Sequence, residues 1–235
     1  SRVDRVLSWS RLSKKVEAAG RHPTVAAVAA QVLKDLRLKR VEVPRSFPLG
    51  LAMDLDELGI RLVQVDDPVW PQREIKRPDD IRAITASLRA AEAGLAAGLT
   101  ALGSCRRGKD GYLRRDGRRF TAEDLRSAVN TRILAEGCIP AHTICAPGDQ
   151  AVDPHEAGHG PIRADQPIVL DIFPRSEKTG YFGDLTRTVV RGRASERLKE
   201  VYALVHEGAR LGQRLVKDGG DGKKIHQAIQ DLFKQ

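Results

Sequence analysis

Two aspartates, Asp171 and Asp184, each stand next to an apolar run in the sequence IVLDIFPRSEKTGYFGDLTRT, Ile168–Thr188. Both runs have the composition of strands and are joined by a polar loop, so the pattern predicts a β-hairpin. A hairpin that closes over Ser176–Thr179 places Asp171 directly opposite Asp184, with Cβ atoms about 4.5–5.5 Å apart. Two carboxylates at that distance repel each other, and burial increases the cost.

Strand alternation predicts which side of the sheet carries this charge. Asp171 shares its face with Val169 and Phe173, because side chains of a strand point alternately to opposite faces. The opposite face consists only of apolar residues: Ile168, Leu170 and Ile172. We therefore expect Asp171 and Asp184 to lie together on one face of the hairpin.

Several arrangements would relieve the repulsion between Asp171 and Asp184. One carboxyl could keep its proton, or Arg175 or Arg187 could neutralise the pair, although alternation turns Arg187 away from Asp184. Divalent cations could lie between the carboxylates, since hard cations favour oxygen ligands. The hairpin could also lie on the surface with both aspartates solvated. Spacing alone leaves these alternatives open.

Two histidines precede the first aspartate strand in the loop CAPGDQAVDPHEAGHGPI. His155 and His159 stand among glycines and prolines, and a loop histidine is commonly a surface residue. Loops at strand ends are also where catalytic groups are often placed. Their position beside the aspartate strands makes both histidines candidates for contact with a substrate.

The elements that position these residues follow from periodicity and from capping signals. Before Asp66, helical patterns alternate with the short strands RVEVP and IRLVQVDD, which indicates an α/β unit. A proline-rich linker is predicted at Asp66–Asp80, followed by a long helix with Pro78 in its first turn. A helix opened by Thr121 and Asp124 precedes the aspartate strands, and two helices follow them.

The formal net charge is +9, and the basic residues are densest at Arg106–Arg119, RRGKDGYLRRDGRR. We expect this segment to be an exposed hairpin, either solvated or acting as a phosphate-binding arm. No nucleic-acid-binding motif accompanies it, so a nucleic-acid partner is not expected. The three cysteines lack a CxxC spacing, and no run is long or apolar enough for a membrane span or a signal peptide. These features favour the cytoplasm.

At these residues the sequence resembles the M24 metallopeptidases, the family of aminopeptidase P, prolidase and methionine aminopeptidase, whose fold is called pita-bread. The resemblance rests on the PH of the loop, on VLDIF and on the nonapeptide GYFGDLTRT, Gly180–Thr188. It implies a mixed α/β chain with two domains. Residues 1–72 would be part of a creatinase-type N-terminal domain, and residues 73–235 would be the first half of a pita-bread domain, an antiparallel sheet covered by helices.

The resemblance also implies roles for individual residues. Asp171 would bind one of two divalent metal ions, manganese, cobalt or zinc, and Asp184 would bridge both. His155 would hydrogen-bond the substrate, whereas His159 has no counterpart in the family. The implied activity is hydrolysis of the N-terminal bond of Xaa-Pro peptides by a metal-activated water. A peptide substrate and a homodimer, without a membrane partner, are the implied partners.

Two other functions occur on the same fold. Creatine amidinohydrolase works without metal, and the presence of both Asp171 and Asp184 argues against it. Pita-bread domains without metal ligands act as binding modules, and the charge of +9 fits that role. Such modules typically replace the aspartates, so an inactive binding module or a truncated fragment remains the alternative.

The second half of the sequence departs from the family pattern. The remaining family ligands are a histidine and two glutamates on strands. The glutamates and histidines after Asp184 instead fall on predicted helices: Glu196, Glu200, His206, Glu207 and His226. We therefore expect either that this chain is part of a longer enzyme that continues past Gln235, or that it is a truncated product with weak metal binding.

Overall fold

The computed structural model describes residues 6–66 and 70–234, which divide into two compact units, Ser1–Lys76 and Arg77–Gln235. The predicted linker falls partly on residues 67–69, outside the described residues. The described remainder of the linker contains one 3₁₀ turn, Pro71–Arg73. The assignment of the first unit to a creatinase-type domain stays a prediction.

Within residues 6–66 the first unit forms three α-helices and two strands: α1 (Trp9–Ala18), α2 (Val25–Asp35), β1 (Arg40–Pro44), α3 (Leu49–Glu57) and β2 (Arg61–Val65). Helices α1 and α2 begin where the side chains of Ser8 and Thr24 accept backbone N–H groups. Strands β1 and β2 are parallel, and α3 connects them. The predicted α/β unit is confirmed.

The second unit begins with helices and short strands: α4 (Pro78–Gly103), β3 (Arg106–Arg107), β4 (Leu113–Arg115), β5 (Arg118–Arg119) and α5 (Ala122–Ala135). It continues with β6 (Cys138–Ile139), β7 (Ile144–Pro147), β8 (Pro167–Ile172), β9 (Arg175–Ser176), β10 (Leu185–Val190), α6 (Glu196–Leu215) and α7 (Gly222–Phe233). The predicted capping box of Thr121 and Asp124 opens α5. The five residues Glu196, Glu200, His206, Glu207 and His226 lie on α6 and α7, as predicted.

A three-stranded antiparallel sheet in the order β10–β8–β7 forms the centre of the second unit. Helices α4 and α5 pack closely enough that a Cβ on Gly94 or Gly98 would lie 2.9 Å from a side-chain carbon of α5. The two helices cover one face of the sheet. Between them lies the core, which includes Leu125, Val129, Ile133, Ile168 and Leu170. The expected antiparallel sheet covered by helices is confirmed.

The basic segment forms a three-stranded antiparallel sheet, β3–β4–β5, with the two predicted turns between its strands. Asp116 and Gly117 both have positive φ, 51° and 78°, as tight two-residue turns require. The segment was expected to be a hairpin with two Gly-containing turns; both turns are present, and they separate three short strands rather than two. Leu113 of β4 is buried and anchors this segment, named here the arginine meander (residues 106–119), to the core.

The three cysteines are free and buried. Burial raises the pKa of the Cys145 thiol to about 12, so this side chain packs as a small apolar residue at neutral pH. None of the helices in residues 6–66 and 70–234 combines the length and the apolar character that crossing a bilayer requires.

Candidate functional site

Strand β8 separates a buried face of the sheet from an open one. Ile168, Leu170 and Ile172 are all fully buried against the helices, at 0% exposure. Asp171 points to the other face and is half-buried, and Asp184 is exposed. The predicted distribution of faces is confirmed. The two carboxylates therefore lie on the side of the sheet that α4 and α5 leave open.

The predicted register of the hairpin was wrong by two residues. Asp171 pairs with Thr186 rather than with Asp184, and Asp184 lies just before the first paired residue of β10. The turn takes in Gly180, whose φ of 72° favours glycine, and is closed by the hydrogen bond from Ser176 N–H to Tyr181 O. The turn is therefore Glu177–Gly180, one residue later than predicted.

A shift of two residues keeps both aspartates on the same face, because the side-chain period of a strand is two. The carboxylates become diagonal neighbours, for which a Cβ separation of about 7–8 Å is typical. They still interact: partial burial and the negative charge of Asp171 raise the pKa of Asp184. The predicted repulsion is thus present, but weaker than in a directly opposed pair.

Neither aspartate has a cationic partner within the described part of the chain. The Thr186 hydroxyl donates to Asp171 Oδ1 at 2.5 Å. The guanidinium groups of Arg175 and Arg187 donate to backbone carbonyls, those of Gly180 and Thr186. Neutralisation by arginine, one of the alternatives left open by the sequence, is therefore not what the structure contains.

The loop that carries His155 is held rigidly by its backbone. The guanidinium of Arg126 on α5 donates to the carbonyls of Ala157 (2.7 Å) and Gly158 (2.9 Å). Gly158 has a φ of 86°, and a Cβ there would lie 2.0 Å from the carbonyl oxygen of Cys145. Only glycine fits this position, so the loop has one backbone path against β7.

The two histidines of this loop differ in their surroundings. The N–H of His155 donates to the Asp153 carboxylate at 2.8 Å, and the residue is exposed. His159 is tied to its own loop, because its backbone exchanges hydrogen bonds with the Gln150 side chain at 2.8 and 3.0 Å. Its ring Nδ1 lies 3.4 Å from Glu156 Oε1.

The described residues do not assemble a complete metal site. Nowhere in residues 6–66 and 70–234 do three His, Cys, Asp or Glu side chains cluster closely enough to hold a metal ion. Asp171 and Asp184 together offer four carboxylate oxygens on one face, which fits one side of a hard divalent cation. The donor set therefore fits part of a metal centre, and further ligands are needed to complete it.

An apolar cavity of about 260 Å³ opens beside the edge strand β10. Its walls are formed by Thr188, Val190, Ala194, Leu198, Lys199 and Tyr202. Thr188 and Thr186 share a face by strand alternation, so the cavity opens on the face of the carboxylate pair.

Sequence reasoning missed the residues that hold this site in place, notably Arg126 and Gly158. The only signal for Gly158 is its position in the EAGHG run, which does not distinguish it from Gly160. Arg126 carries no sequence signal, because its acceptors lie 31 and 32 residues further along the chain.

The sequence profile of metallopeptidase family M24 matches residues 82–235. The X-Pro aminopeptidase from Thermotoga maritima MSB8 is similar in structure, with a TM-score of 0.73 and 22% identity over 90% of this chain and 57% of that one. The Xaa-Pro dipeptidase from Bacillus anthracis has a TM-score of 0.74 and 19% identity over 94% of this chain and 62% of that one.

Among curated proteins, an uncharacterised peptidase of Bacillus subtilis (strain 168), YqhT, is 40% identical over 52 residues, which are 22% of this chain and 15% of that protein. The chain thus spans little more than half the length of the two solved structures and a smaller share of this relative. At these identities the solved structures establish the shared fold.

Proposed function

Since the chain belongs to metallopeptidase family M24, we propose that Asp171 and Asp184 bind divalent metal ions in the active site of a peptidase. One observation supports this assignment above the others: two carboxylates lie on one open face, where partial burial and the charge of Asp171 raise the pKa of Asp184. No arginine or lysine of the described residues pairs with either of them. A cation is the partner that this arrangement lacks.

The described residues have distinct roles in this proposal. Thr186 donates to Asp171 Oδ1, which orients that carboxylate and leaves Oδ2 directed away from the bond. Asp184 is exposed and holds its charge beside that of Asp171. Divalent ions, when bound, supply Lewis acidity that makes water a nucleophile at neutral pH. Two ions, manganese, cobalt or zinc, are our proposal, and they require ligands in addition to these two aspartates.

His155 is the proposed hydrogen-bond partner of the substrate. Its loop has a single backbone path, set by Gly158 and Arg126, so the position of His155 relative to β7 is fixed before any ligand binds. A fixed donor lowers the entropy lost on binding. This role carries over from the family motif, and the rigid loop supports it.

We propose Xaa-Pro peptides as the substrates. The printed names of the similar structures, an X-Pro aminopeptidase and an Xaa-Pro dipeptidase, support this choice. The chain covers little more than half of those enzymes, so the activity is proposed for the functional protein of which this chain is part or whole. A homodimer in the cytoplasm is likewise a proposal.

The alternative function is that of an inactive binding module with a basic surface. The arginine meander is the feature that would serve it. Several of its arginines, however, are already paired: Asp110 accepts from Arg114 and Arg119, and Asp124 on α5 accepts from Arg118. This pairing leaves less positive charge for a partner. The meander therefore supports the binding module less than its composition suggests.

Hydrolysis of Xaa-Pro dipeptides tests the proposal. The functional protein that contains this chain is assayed with added Mn²⁺ against an Xaa-Pro dipeptide and the matching Xaa-Ala dipeptide, beside its Asp184→Asn variant. We expect cleavage of the Xaa-Pro substrate and a loss of at least about 100-fold in kcat/KM in the variant, since a metal ligand is removed. Equal activity of the wild type and Asp184→Asn would rule out the assigned role.

A further inference from the structure

The segment that leads into Asp184 lies against helix α4, and two side chains fasten it there. The Ser87 hydroxyl donates to the carbonyl of Tyr181 at 2.9 Å, and Ser87 is completely buried. The Tyr181 hydroxyl donates to Asp80 Oδ1 at 2.5 Å. One residue is thus held by its backbone and by its side chain, at two points two turns apart on α4.

Gly183 makes the closest contact between this segment and the helix. Gly183 is buried, and a Cβ added to it would lie 2.4 Å from the carbonyl carbon of Ser87. Because the obstructing atom belongs to helix backbone, no side-chain rotation could relieve that overlap. Gly183 N–H also donates to the carbonyl of Pro174 at 3.0 Å. The backbone directly before Asp184 is therefore pressed onto α4.

The acceptor of the Tyr181 hydroxyl is itself fixed. Asp80 accepts the backbone N–H of Arg77 at 2.9 Å and its Nε–H at 3.2 Å. The hydrogen bonds from Arg77 and Tyr181 hold the pKa of Asp80 well below its ordinary value. The carboxylate is charged throughout the neutral range, and a charged acceptor makes the stronger hydrogen bond.

We propose that Asp80, Ser87 and Tyr181 are positioning residues that fix Asp184 relative to Asp171. Asp184 itself has no pairing partner in the ladder: Leu185 after it is paired, and before it Gly183 N–H makes a single bond to the Pro174 carbonyl. The hydrogen bond from Ser87, the hydrogen bond between Tyr181 and Asp80, and the close approach of Gly183 hold the backbone before Asp184 against α4. The inference rests on the proposed function in one respect, because the position of Asp184 matters for catalysis only if Asp184 binds metal.

Tyr181→Phe tests the inference, because it removes the hydroxyl and keeps the ring. Tyr112→Phe is the matched control: its hydroxyl also makes a hydrogen bond, at 3.3 Å from Arg163, but in the arginine meander. Two quantities are measured in each protein. The first is hydrogen exchange of the Gly183 amide, and the second is the affinity for Mn²⁺ alone, followed by electron paramagnetic resonance.

We expect Tyr181→Phe to speed hydrogen exchange of the Gly183 amide by about 10-fold or more. Local opening costs less free energy in the variant, because it no longer has to break the hydrogen bond to Asp80. Affinity for Mn²⁺ should fall by about 10-fold, as for other contacts that orient a metal ligand. Tyr112→Phe should change neither quantity. If Tyr181→Phe lowers thermal stability as Tyr112→Phe does but leaves both quantities at the wild-type values, the inference is overturned.

The two measurements separate this inference from the proposed function. Faster exchange of Gly183 together with unchanged Mn²⁺ affinity would overturn the link to the metal site. If the wild-type chain and Asp184→Asn show the same Mn²⁺ binding, the proposed function fails, and the exchange data still decide whether α4 holds the segment. Asp80→Asn should repeat the effect of Tyr181→Phe with smaller size, because a neutral acceptor remains.

Discussion

The arginine meander and the carboxylate pair both concentrate charge on the Arg77–Gln235 unit, but they shift the pKa values of their aspartates in opposite directions. In the meander, Asp110 accepts from Arg119 and Arg114, which lower its pKa to about 2. At the other site, partial burial and the neighbouring Asp171 raise the pKa of Asp184. The two pKa shifts have opposite signs because Asp110 has cationic partners, whereas Asp184 is partly desolvated and lies near a like charge.

The two regions also differ in what fixes their geometry. Side-chain pairs organise the meander, including Arg119 and Arg163 on the ring of Tyr112 at 4.3 and 4.8 Å. Close backbone approaches organise the carboxylate site, where Gly183 meets Ser87 and Gly158 meets Cys145. A site built on backbone contacts keeps its side chains available, and that is the property a binding site requires.

The two regions should differ most strongly in their contribution to metal affinity. We expect Asp184→Asn to weaken Mn²⁺ binding by more than about 100-fold, because losing a ligand costs more than losing a contact to one. Asp110→Asn, which removes an aspartate already paired with arginine, should leave the affinity unchanged. Calorimetric titration with Mn²⁺ measures both. Similar losses in the two variants would mean that Mn²⁺ binding is diffuse.

The backbone contacts can be tested with two glycines of one loop. Gly158 and Gly160 both have positive φ, 86° and 71°, but only Gly158 has an atom within reach of an added Cβ. We expect Gly160→Ala to cost about 1 kcal/mol of unfolding free energy from strain alone. Gly158→Ala should cost at least about 3 kcal/mol. Urea unfolding compares them, and equal costs would show that the loop can move away from β7.

The opposite pKa shifts predict opposite pH behaviour in the presence of a chelator. The stabilisation from Asp110 is present above its ordinary pKa of 3.8 and is lost as the pH falls through about 2. Asp110→Asn should therefore be less stable than the wild type at pH 7, and the difference should disappear only as the pH falls below about 2. The folded-state pKa of Asp184 is raised, so its contribution is lost as the pH rises.

Asp184→Asn should accordingly be at least as stable as the wild type at pH 7 and should lose this advantage in acid, below the ordinary pKa of aspartate. Thermal unfolding across this pH range records both variants. If Asp184→Asn is less stable than the wild type at pH 7 with chelator present, Asp184 has a cationic partner and the expected repulsion is absent.

The smallest expected effect concerns the side-chain pairs of the meander. Arg119→Lys keeps the charge but loses the flat contact with the Tyr112 ring and the two-nitrogen contact with Asp110. We expect a loss of about 0.5–1 kcal/mol in unfolding free energy. Arg115→Lys, at an exposed position whose nearest carboxylate is 3.5 Å away, is the control and should be neutral.

The sequence was sufficient to predict the elements and the faces of this chain, because both depend on local spacing. Alternation in PIVLDIFP placed Asp171 correctly, and the cap at Thr121 marked the start of α5. The register of the hairpin was not predictable in the same way. It depends on Gly180 adopting positive φ and on β9 pairing with β6, a contact between segments about forty residues apart.

The contacts that hold the carboxylate site were beyond sequence reasoning for a related reason. Ser87 and Asp80 bind Tyr181 across 94 and 101 residues of chain, and a serine in a helix or an aspartate in its first turn gives no indication of such a partner. The pairing within the meander was equally hidden. A count of seven basic and two acidic residues suggested free charge, whereas the fold recruits Asp124 and Asp165 from outside the segment.

The tip of the aspartate hairpin has a consequence for how this chain can vary. Glu177, Lys178 and Thr179 are exposed, and the strands beside them keep the aspartates on one face whenever the register moves by an even number of residues. Residues added at the exposed tip lengthen the turn without moving the ladder, so the aspartates keep their places while the tip changes. Lys178 is accordingly a suitable position for a tether or a label.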